Sequence, residues 1–527
     1  MMMTRKYPVG IQTFSEIIKG GYVYVDKTDL VWQLANYAKY IFLSRPRRFG
    51  KSLLTSTLES YFLGERELFE GLKIMKYERE WEQYPVLHLD LSTAKGQENA
   101  DSLRATIMWM LHSLSDIYGK ETDETTPGKL LAGIIRRACR MTGKQVAVII
   151  DEYDAPLLEV LHEDTVLSGM RKVMQEFYTP LKAHEKYIKF CFITGITKFS
   201  QLSIFSTINN LTNVTMNSNF SAICGITEAE VRSVFQDEIC AMSEEYACTP
   251  EEMFQKVKMR YDGYHFASRS EDIYNPFSLL NAVRQLELNN YWFSTGTPSF
   301  LIHQMQHFKT DIMSLDKLEV PSSAFDQPTE NMQNALPLLY QSGYLTIKDY
   351  DKELDIYTLS IPNQEVRIGL TKGLVPVYTG LNEADVHIGF ALKFWRALKN
   401  GDIDLAMREM QAYMAGIPYV EGFKQKLAEA ATAEGFYEYT MYLIFSMLNV
   451  YAKTQVKCSG GKADMVVWMP GTVYVFEMKV NGTAREALEQ IDSKGYALPY
   501  QTDNFKIVKV GVKFNAKTRV PEEWAIG

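Results

Sequence analysis

Residues 44–52 have the sequence Ser44-Arg45-Pro46-Arg47-Arg48-Phe49-Gly50-Lys51-Ser52. The apolar run 40–43 before this segment predicts a buried strand, and the run 53–63 after it predicts a helix. A loop that ends in Gly-Lys-Ser between a strand and a helix is the context of a phosphate-binding P-loop. Backbone N–H groups of such a loop, with the positive end of the helix, hold phosphate oxygens.

The loop residues that we expect to contact a nucleotide are Arg48, Phe49, Gly50, Lys51 and Ser52. Lys51 would reach the β- and γ-phosphates, and the hydroxyl of Ser52 would bind Mg²⁺. The general motif begins with a glycine where this chain has Arg45, so the outer turn of the loop departs from the usual geometry. The alternative interpretation is a basic loop that contains Gly-Lys-Ser by chance.

A second apolar run, 145–150, is rich in valine and isoleucine and predicts a strand buried on both faces of a parallel sheet. Asp151 and Glu152 end it. Asp151 would hold Mg²⁺, directly or through water, and Glu152 would orient or deprotonate the attacking water. Acidic residues after a strand also cap loops, so the assignment of this pair as Mg²⁺ ligand and base depends on the P-loop predicted earlier in the chain. The strand predicted at 188–193 is followed by Thr194, a candidate γ-phosphate sensor or part of a glycine-containing turn.

The composition bounds the class of protein. A chain of 527 residues is too long for one core and predicts about two to four domains. The net charge of −8 shows no global signature of nucleic-acid binding, although charge can be local. The six cysteines form no CxxC pair, which favours buried free thiols over zinc. The sequence has neither the apolar core of a signal peptide nor a membrane-length apolar run, so we expect a cytoplasmic protein without a membrane partner.

A second candidate site lies near the carboxyl end. The pattern predicts a helix at 435–448, strands near 455–457, at 462–468 and at 472–480, a helix at 483–494 and a strand at 505–514. This order is αβββαβ. Asp464 lies on the middle strand of the three, and Glu477 and Lys479 lie on the next, where alternation puts them on one face.

Two neighbouring carboxylates suit Mg²⁺ or Mn²⁺, which prefer oxygen ligands, so Asp464 and Glu477 are the candidate metal ligands. Lys479 would position or deprotonate the hydrolytic water, and Glu434 is a candidate outer acid. The alternative is a Glu–Lys pair on an exposed strand. A basic stretch lies near the carboxyl end of the chain, and it would either bind phosphate backbones or form a solvated edge. It comprises Lys506, Lys509, Lys513, Lys517 and Arg519.

Several of these segments together resemble the bacterial AAA-ATPase-like family that carries a C-terminal PD-(D/E)XK nuclease-type domain. The matching stretches are 24–28, 45–52, 150–154, 194–198, 205–206 with 209–211, 261–264 and 275–278. Arginine at position 45 fits this family. The resemblance implies ATP and Mg²⁺ as cofactors, identifies the αβββαβ order with the nuclease-type core, and places Gln490 and Tyr496 near its site.

The predicted fold class is α/β and multidomain: a P-loop parallel sheet, a helical lid, a winged-helix-like module and an αβββαβ domain. Helix plus hairpin in the third segment suggests the winged helix, which either binds DNA or packs on the nucleotide domain. The expected boundaries are 1–221 for the P-loop domain, 222–290 for the lid, 291–382 for the module, 383–418 for a helical linker and 419–527 for the nuclease-type domain.

The predicted function is ATP binding and hydrolysis that gates a metal-dependent nuclease acting on DNA. Two alternatives stay open. One is a nucleotide-driven signalling switch with an inactive nuclease-like module, and the other is a P-loop kinase. Glu152 beside Asp151 favours hydrolysis over transfer to an acceptor. The sequence leaves the oligomeric state open, a homo-oligomer included.

Overall fold

The computed structural model divides the chain into two compact units, residues 1–310 with 315–363, and 311–314 with 364–527. It describes residues 5–161, 163–198, 210–293, 299–308, 310, 315, 317–327, 332–379, 384–416, 442, 451–458, 460–469, 471–501, 505–515, 517–518 and 520–527. The expected boundaries at 290/291 and 382/383 stay predictions. The division by contacts instead falls at 363/364.

The first unit is built around a parallel sheet of five strands. They are β1 Tyr40–Ser44, β2 Val86–Asp90, β3 Val146–Asp151, β4 Ile188–Gly195 and β5 Thr212–Asn213, in the order β2-β3-β4-β1-β5. Every residue of β1 and β3 is buried, as expected of continuous apolar runs in a parallel sheet. The predicted α/β class with a parallel P-loop-like sheet is therefore confirmed.

Helices connect and flank these strands. They are α1 Phe14–Lys19, α2 Thr28–Tyr37, α3 Lys51–Phe62, α4 Ala100–Tyr118, α5 Pro127–Thr142, α6 Ala155–Leu158 and α7 Asp164–Ala183. The predicted loop links β1 to α3, and Gly50, the residue before α3, has a φ of 88°. Glycine reaches that left-handed conformation without a Cβ penalty, so the last turn of the loop depends on it.

A small helical region follows. It contains β6 Ile226–Thr227, α8 Glu228–Val234, α9 Gln236–Glu245, α10 Pro250–Tyr261, β7 Ile273–Tyr274 and α11 Pro276–Gln285. Its apolar cluster includes Val231, Phe254 and Leu279, and Tyr7 and Val23 of the amino-terminal segment pack against it. The amino-terminal segment is thereby held beside the region predicted as a lid.

The first unit ends in helices and a three-stranded antiparallel sheet. The elements are α12 Ser299–His307, β8 Leu318–Pro321, α13 Ser322–Phe325, α14 Leu336–Gln341, β9 Thr346–Asp351 and β10 Ile356–Ser360, with the strand order β8-β10-β9. We call residues 315–363 the sheet module. The predicted helix and hairpin lie within it, and its classification as a winged helix stays a prediction.

Within its described residues, the second unit combines four helices with a mixed five-stranded sheet. The elements are α15 Gln364–Thr379, α16 Ala384–Lys399, α17 Ile403–Ala415, β11 Tyr451–Cys458, β12 Gly461–Met469, β13 Thr472–Lys479, α18 Ala484–Ser493, β14 Lys506–Phe514 and β15 Pro521–Ile526. The strand order is β11-β12-β13-β14-β15, with only the β13–β14 pair parallel. The predicted elements from 455 to 514 are present, and β15 was not predicted. The predicted helix at 435–448 lies outside the described residues except for Tyr442, which is helical.

Helices α16 and α17 occupy the segment predicted as a helical linker, and residues 400–402 separate them. The side chain of Gln411 on α17 donates to the carbonyl of Pro521 at 2.7 Å, and the indole of Trp524 donates to Asp404 at 2.7 Å. The segment is therefore packed on the strand β15 and forms part of the second unit. Across the part of the chain that the structure describes, no helix has both the length and the apolar character needed to cross a bilayer.

Candidate functional site

The ammonium group of Lys51 lies inside the loop that precedes α3. Lys51 is 4% exposed, and its Nζ donates to the carbonyls of Arg45 at 3.1 Å and Pro46 at 3.2 Å. The same Nζ lies 3.8 Å from Oε1 of Glu152. The two carbonyls and the carboxylate thus hold the ammonium group in place. Phosphate oxygens would be stronger hydrogen-bond acceptors for it.

Arg45 explains how the loop accommodates its departure from the general motif. The side chain is buried, and its guanidinium donates to the carbonyls of Ser44 at 2.9 Å, Thr215 at 2.8 Å and Phe220 at 3.1 Å. It also stacks 4.3 Å from the ring centroid of Phe266. Burial lowers the pKa of Arg45 to about 10, which leaves it charged at neutral pH. Arg45 thus anchors the start of the loop to the segment after β5.

The predicted acids lie at the carboxyl end of β3, next to the loop. Burial raises the pKa of Asp151, while a hydrogen bond from Ser52 and the charge of Lys51 oppose that rise. Oδ2 of Asp151 also accepts from Oγ1 of Thr55 at 3.4 Å. The structure therefore brings together Ser52 and Asp151, the two side chains predicted to hold Mg²⁺.

Glu152 adopts a backbone conformation that is uncommon for its residue type. Its φ is 50°, and its N–H donates to Oδ1 of Asp151 at 2.8 Å. A non-glycine residue with positive φ carries strain that the surrounding contacts must maintain. The result is a carboxylate that faces Lys51 across the cavity.

A cavity of about 450 Å³ lies beside the loop before α3 and the turn after β3. Lys51, Ser52 and Glu152 line one part of it, and residues 8–12, Phe277 and Leu280 line another. Its size suits a small ligand with a polar end and an apolar end. Sequence reasoning missed residues 8–12, Ser92 and Lys95, which belong to no phosphate motif, whereas Phe277 lies in one of the stretches that match the family.

Three other residues predicted to contact a nucleotide, Arg48, Phe49 and Thr194, lie in different surroundings. The guanidinium of Arg48 lies 4.3 Å from the ring centroid of Phe277, at the cavity. Phe49 is fully buried against Tyr264 at 4.7 Å between ring centroids. The hydroxyl of Thr194 donates to the carbonyl of Leu43 at 2.7 Å, so it is directed at β1. Neither Phe49 nor Thr194 is among the residues that line this cavity, and both roles stay predictions.

In the second unit, the hairpin of β12 and β13 brings the other predicted residues together. Oδ2 of Asp464 accepts from the backbone N–H of Met478 at 2.7 Å, between Glu477 and Lys479. Nζ of Lys479 lies 3.4 Å from Oε1 of Glu477, as expected of side chains two residues apart on one strand face. Gln490 on α18 donates to the same Oε1, and its amide lies 3.4 Å from the hydroxyl of Tyr496.

The carboxylate of Glu477 has the properties of a metal ligand. It is 2% exposed, and its Oε2 has no hydrogen-bond partner among the described residues. Burial, followed by the charge of Asp464, raises the pKa of Glu477. A divalent cation would satisfy the unpaired oxygen and offset the repulsion, so the pair fits such an ion. Within the described residues no group of three or more His, Cys, Asp or Glu forms a metal cluster, and Glu434 lies outside them.

The predicted basic stretch is partly neutralised by acids. Lys509 pairs with Asp492 at 2.5 Å, and Lys513 pairs with Glu522 at 2.6 Å. Arg519 lies outside the described residues. These ion pairs reduce the positive charge that β14 offers to a phosphate backbone.

Metal affinity at this site should rise with pH. The raised pKa keeps Glu477 protonated to a higher pH than a free glutamate, and a cation binds the ionised form, so binding should release a proton. We expect calorimetry with Mn²⁺ to give weaker binding at about pH 6 than at about pH 8. The measured heat should also depend on the ionisation enthalpy of the buffer. Equal affinities with buffer-independent heats would contradict this expectation.

The parallel sheet with its loop, lysine and strand-end acids defines an ATPase-like domain, and the carboxylates and lysine of the second unit define a nuclease-like one. The family model described as a predicted AAA-ATPase matches residues 8–205. The model for the PD-(D/E)XK nuclease superfamily matches residues 432–524. The chain is 32% identical over 531 aligned residues, 98% of each chain, to a protein of Azotobacter chroococcum mcd 1 named "Uncharacterized protein in vnfD 5'region". The chain belongs to the family of AAA-ATPase-like proteins with a C-terminal PD-(D/E)XK nuclease superfamily domain, which confirms the resemblance.

Proposed function

We propose that the first unit binds and hydrolyses ATP and that its nucleotide state controls a metal-dependent DNA nuclease in the second unit. The observation that carries the proposal is the convergence of Lys51, Ser52 and Glu152 on one cavity, with the buried carboxylate of Asp151 beside Ser52. A cation for phosphate, oxygen ligands for Mg²⁺ and a carboxylate for water are the parts that phosphoanhydride hydrolysis requires.

In the proposed ATP complex, Lys51 exchanges the carbonyls of Arg45 and Pro46 for the β- and γ-phosphate oxygens. Backbone N–H groups of the loop and the first turn of α3 supply further donors. Ser52 and Asp151 would hold Mg²⁺, which supplies charge stabilisation to the phosphates when bound. The apolar wall formed by residues 8–12 and Phe277 would receive the base.

Glu152 is the proposed base. Its Oε1 lies 3.8 Å from Nζ of Lys51. Once the lysine turns to phosphate, that carboxylate is released to accept a proton from, or orient, the attacking water. The left-handed backbone at Glu152 keeps the side chain directed at the cavity while this exchange occurs.

In the proposed nuclease site, Asp464 and Glu477 would hold a divalent cation, which supplies Lewis-acid stabilisation of a phosphodiester when bound. Lys479 positions the hydrolytic water and takes or shares its proton. Gln490 orients Glu477 through Oε1, which leaves Oε2 for the cation. The proposed substrate is DNA, with single and double strands both to be compared.

The test measures ATP hydrolysis and DNA cleavage on the same preparation, with Mg²⁺ or Mn²⁺ and with or without ATP. The proposal expects hydrolysis without an added acceptor and cleavage that changes with the nucleotide. ATP consumption that required an acceptor would support a kinase. ATP hydrolysis with no cleavage under any combination would support a nucleotide switch with an inactive nuclease-like module.

Replacing Glu152 by glutamine should leave ATP bound but poorly hydrolysed. The amide keeps the size of the side chain and loses the proton acceptor, so kcat should fall about a hundredfold or more. ATP affinity should be maintained, because Lys51 and the loop are intact. Glu67→Gln, at an exposed position of the same unit, is the matched control and should behave as wild type. A Glu152→Gln protein with wild-type kcat would exclude Glu152 as the base.

A further inference from the structure

The turn after β3 carries a second carboxylate that the proposed hydrolysis does not use. Asp154 is fully buried. Its Oδ2 accepts from the backbone N–H of Thr197 at 2.7 Å, from Oγ1 of Thr197 at 2.7 Å and from the N–H of Ile196 at 3.1 Å. Among the described residues it forms no ion pair, so hydrogen bonds alone satisfy it.

Tyr153, the residue before Asp154, also forms hydrogen bonds to the end of β4 and the loop after it. The hydroxyl of Tyr153 donates to the carbonyl of Thr197 at 2.8 Å, and the N–H of Tyr153 donates to the carbonyl of Thr194 at 3.0 Å. Glycine at position 195 permits this close approach, because the Cβ of any other residue would lie 2.3 Å from Oδ1 of Asp154. Hydrogen bonds therefore hold the turn that contains Glu152 against the loop that follows β4.

That loop is tied in turn to the sheet module at its next residue. The N–H of Lys198 donates to Oε1 of Gln341 at 2.7 Å, and Nζ of Lys198 pairs with Asp326 at 2.9 Å. Gln341 is 5% exposed, and its amide donates to the carbonyl of Gln327 at 2.7 Å. A continuous series of hydrogen bonds thus runs from the turn of Glu152 to the ends of α13 and α14.

The sheet module also contacts the outer turn of the P-loop. Trp292, which precedes α12, donates from its indole to the carbonyl of Arg47 at 3.3 Å and packs 5.2 Å from Tyr344 of the module. A Cβ on Gly343 would lie 2.7 Å from the side chain of Pro46. The module therefore touches both sides of the proposed nucleotide site, the P-loop and the loop after β4.

We propose that Asp154 is a positioning residue that holds the strained turn of Glu152 in register and couples it, through residues 196–198, to the sheet module. The strain at Glu152 persists only if contacts of the neighbouring residues hold the turn in place, and the hydrogen bonds of Asp154 to residues 196 and 197 are such contacts. Movement of the module would then shift the base relative to the γ-phosphate. This inference rests on the proposed ATP hydrolysis.

The test compares Asp154→Asn, Lys198→Met and the double variant in steady-state ATP hydrolysis. Each single variant should lower kcat about tenfold or more, because small misplacements of a catalytic group are costly. The KM for ATP should change less than about twofold, because neither residue lines the cavity. The double variant should lose no more than Asp154→Asn alone, since both changes break one series of contacts.

Lys352→Met is the matched control, with the same substitution at an exposed turn of the sheet module. Melting temperatures report whether each variant is folded. If Asp154→Asn does not fold, Thr197→Val takes its place, because it removes one hydrogen bond to Asp154 and keeps the shape of the side chain.

Wild-type kcat in Lys198→Met would overturn the coupling, as would a double variant whose loss is the product of the two single losses. In both cases the wild type still hydrolyses ATP and only this inference fails. A wild type that neither binds nor hydrolyses ATP would overturn the proposed function and the coupling together.

Discussion

Replacing Lys51 by alanine is expected to abolish ATP binding by the first unit or to weaken it greatly. The ammonium of Lys51 is buried in the loop and borders the cavity, so the phosphates would lose this charged partner. Truncating one member of a buried charge pair costs about 2–5 kcal/mol, which corresponds to a loss of about thirtyfold or more in affinity. Calorimetric titration with ATP and Mg²⁺ is the measurement, with ATP hydrolysis as the second readout.

Lys76→Ala, at an exposed position of the same unit, is the control for a general effect of removing a lysine. It should bind ATP as wild type does. The release of Glu152 in Lys51→Ala cannot mask the result, because an unpaired carboxylate at the cavity would repel phosphate further. Equal ATP affinities in wild type and Lys51→Ala would exclude the loop as a nucleotide site.

Asp464→Asn is expected to remove both metal binding and DNA cleavage from the second unit. Asparagine keeps an oxygen that can accept from the N–H of Met478, so the hairpin should stay folded while one anionic ligand is lost. Glu477 alone, buried and with a raised pKa, is a poor cation site. Calorimetry with Mn²⁺ and a cleavage assay on the same sample test both effects.

Lys479→Ala should separate the two effects. In the proposed mechanism Lys479 acts on water and is not a metal ligand, so cleavage should fall about a hundredfold or more while metal binding is largely kept. Lys462→Ala, an exposed lysine on the adjacent strand β12, is the matched control and should cleave normally. If wild type cleaves no better than Asp464→Asn and binds no metal, the nuclease proposal fails and the switch becomes the better account.

Local patterns were enough to predict the strands and helices that carry the two sites. The runs 40–43 and 145–150 are apolar because both faces of β1 and β3 are covered, so their burial is visible in a single segment. The hairpin of β12 and β13 was predictable for a related reason: alternation assigns Glu477 and Lys479 to one face, and Asp464 to the adjacent strand. The strand β15 has no such signal, because all but one of its residues are exposed or half-buried.

The partners of each side chain were not predictable from local patterns. Nothing in the sequence around Lys51 indicates that its ammonium rests on the carbonyls of Arg45 and Pro46, or that it faces Glu152. The amino-terminal residues 8–12 reach the cavity because Tyr7 and Val23 pack on the helical region, a contact between segments far apart in the chain.

The chemical groups could be identified from the sequence alone: the lysine of the loop before α3, the acids that end β3, and two carboxylates with a lysine on a hairpin. Those assignments rest on short-range order, in which neighbours in the chain are neighbours in space. The hydrogen bonds of Asp154 to the loop after β4, and of Arg45 to the segment after β5, are visible only in the folded chain. Such contacts join residues brought together by the parallel sheet, whose crossover connections separate adjacent strands by long stretches of chain.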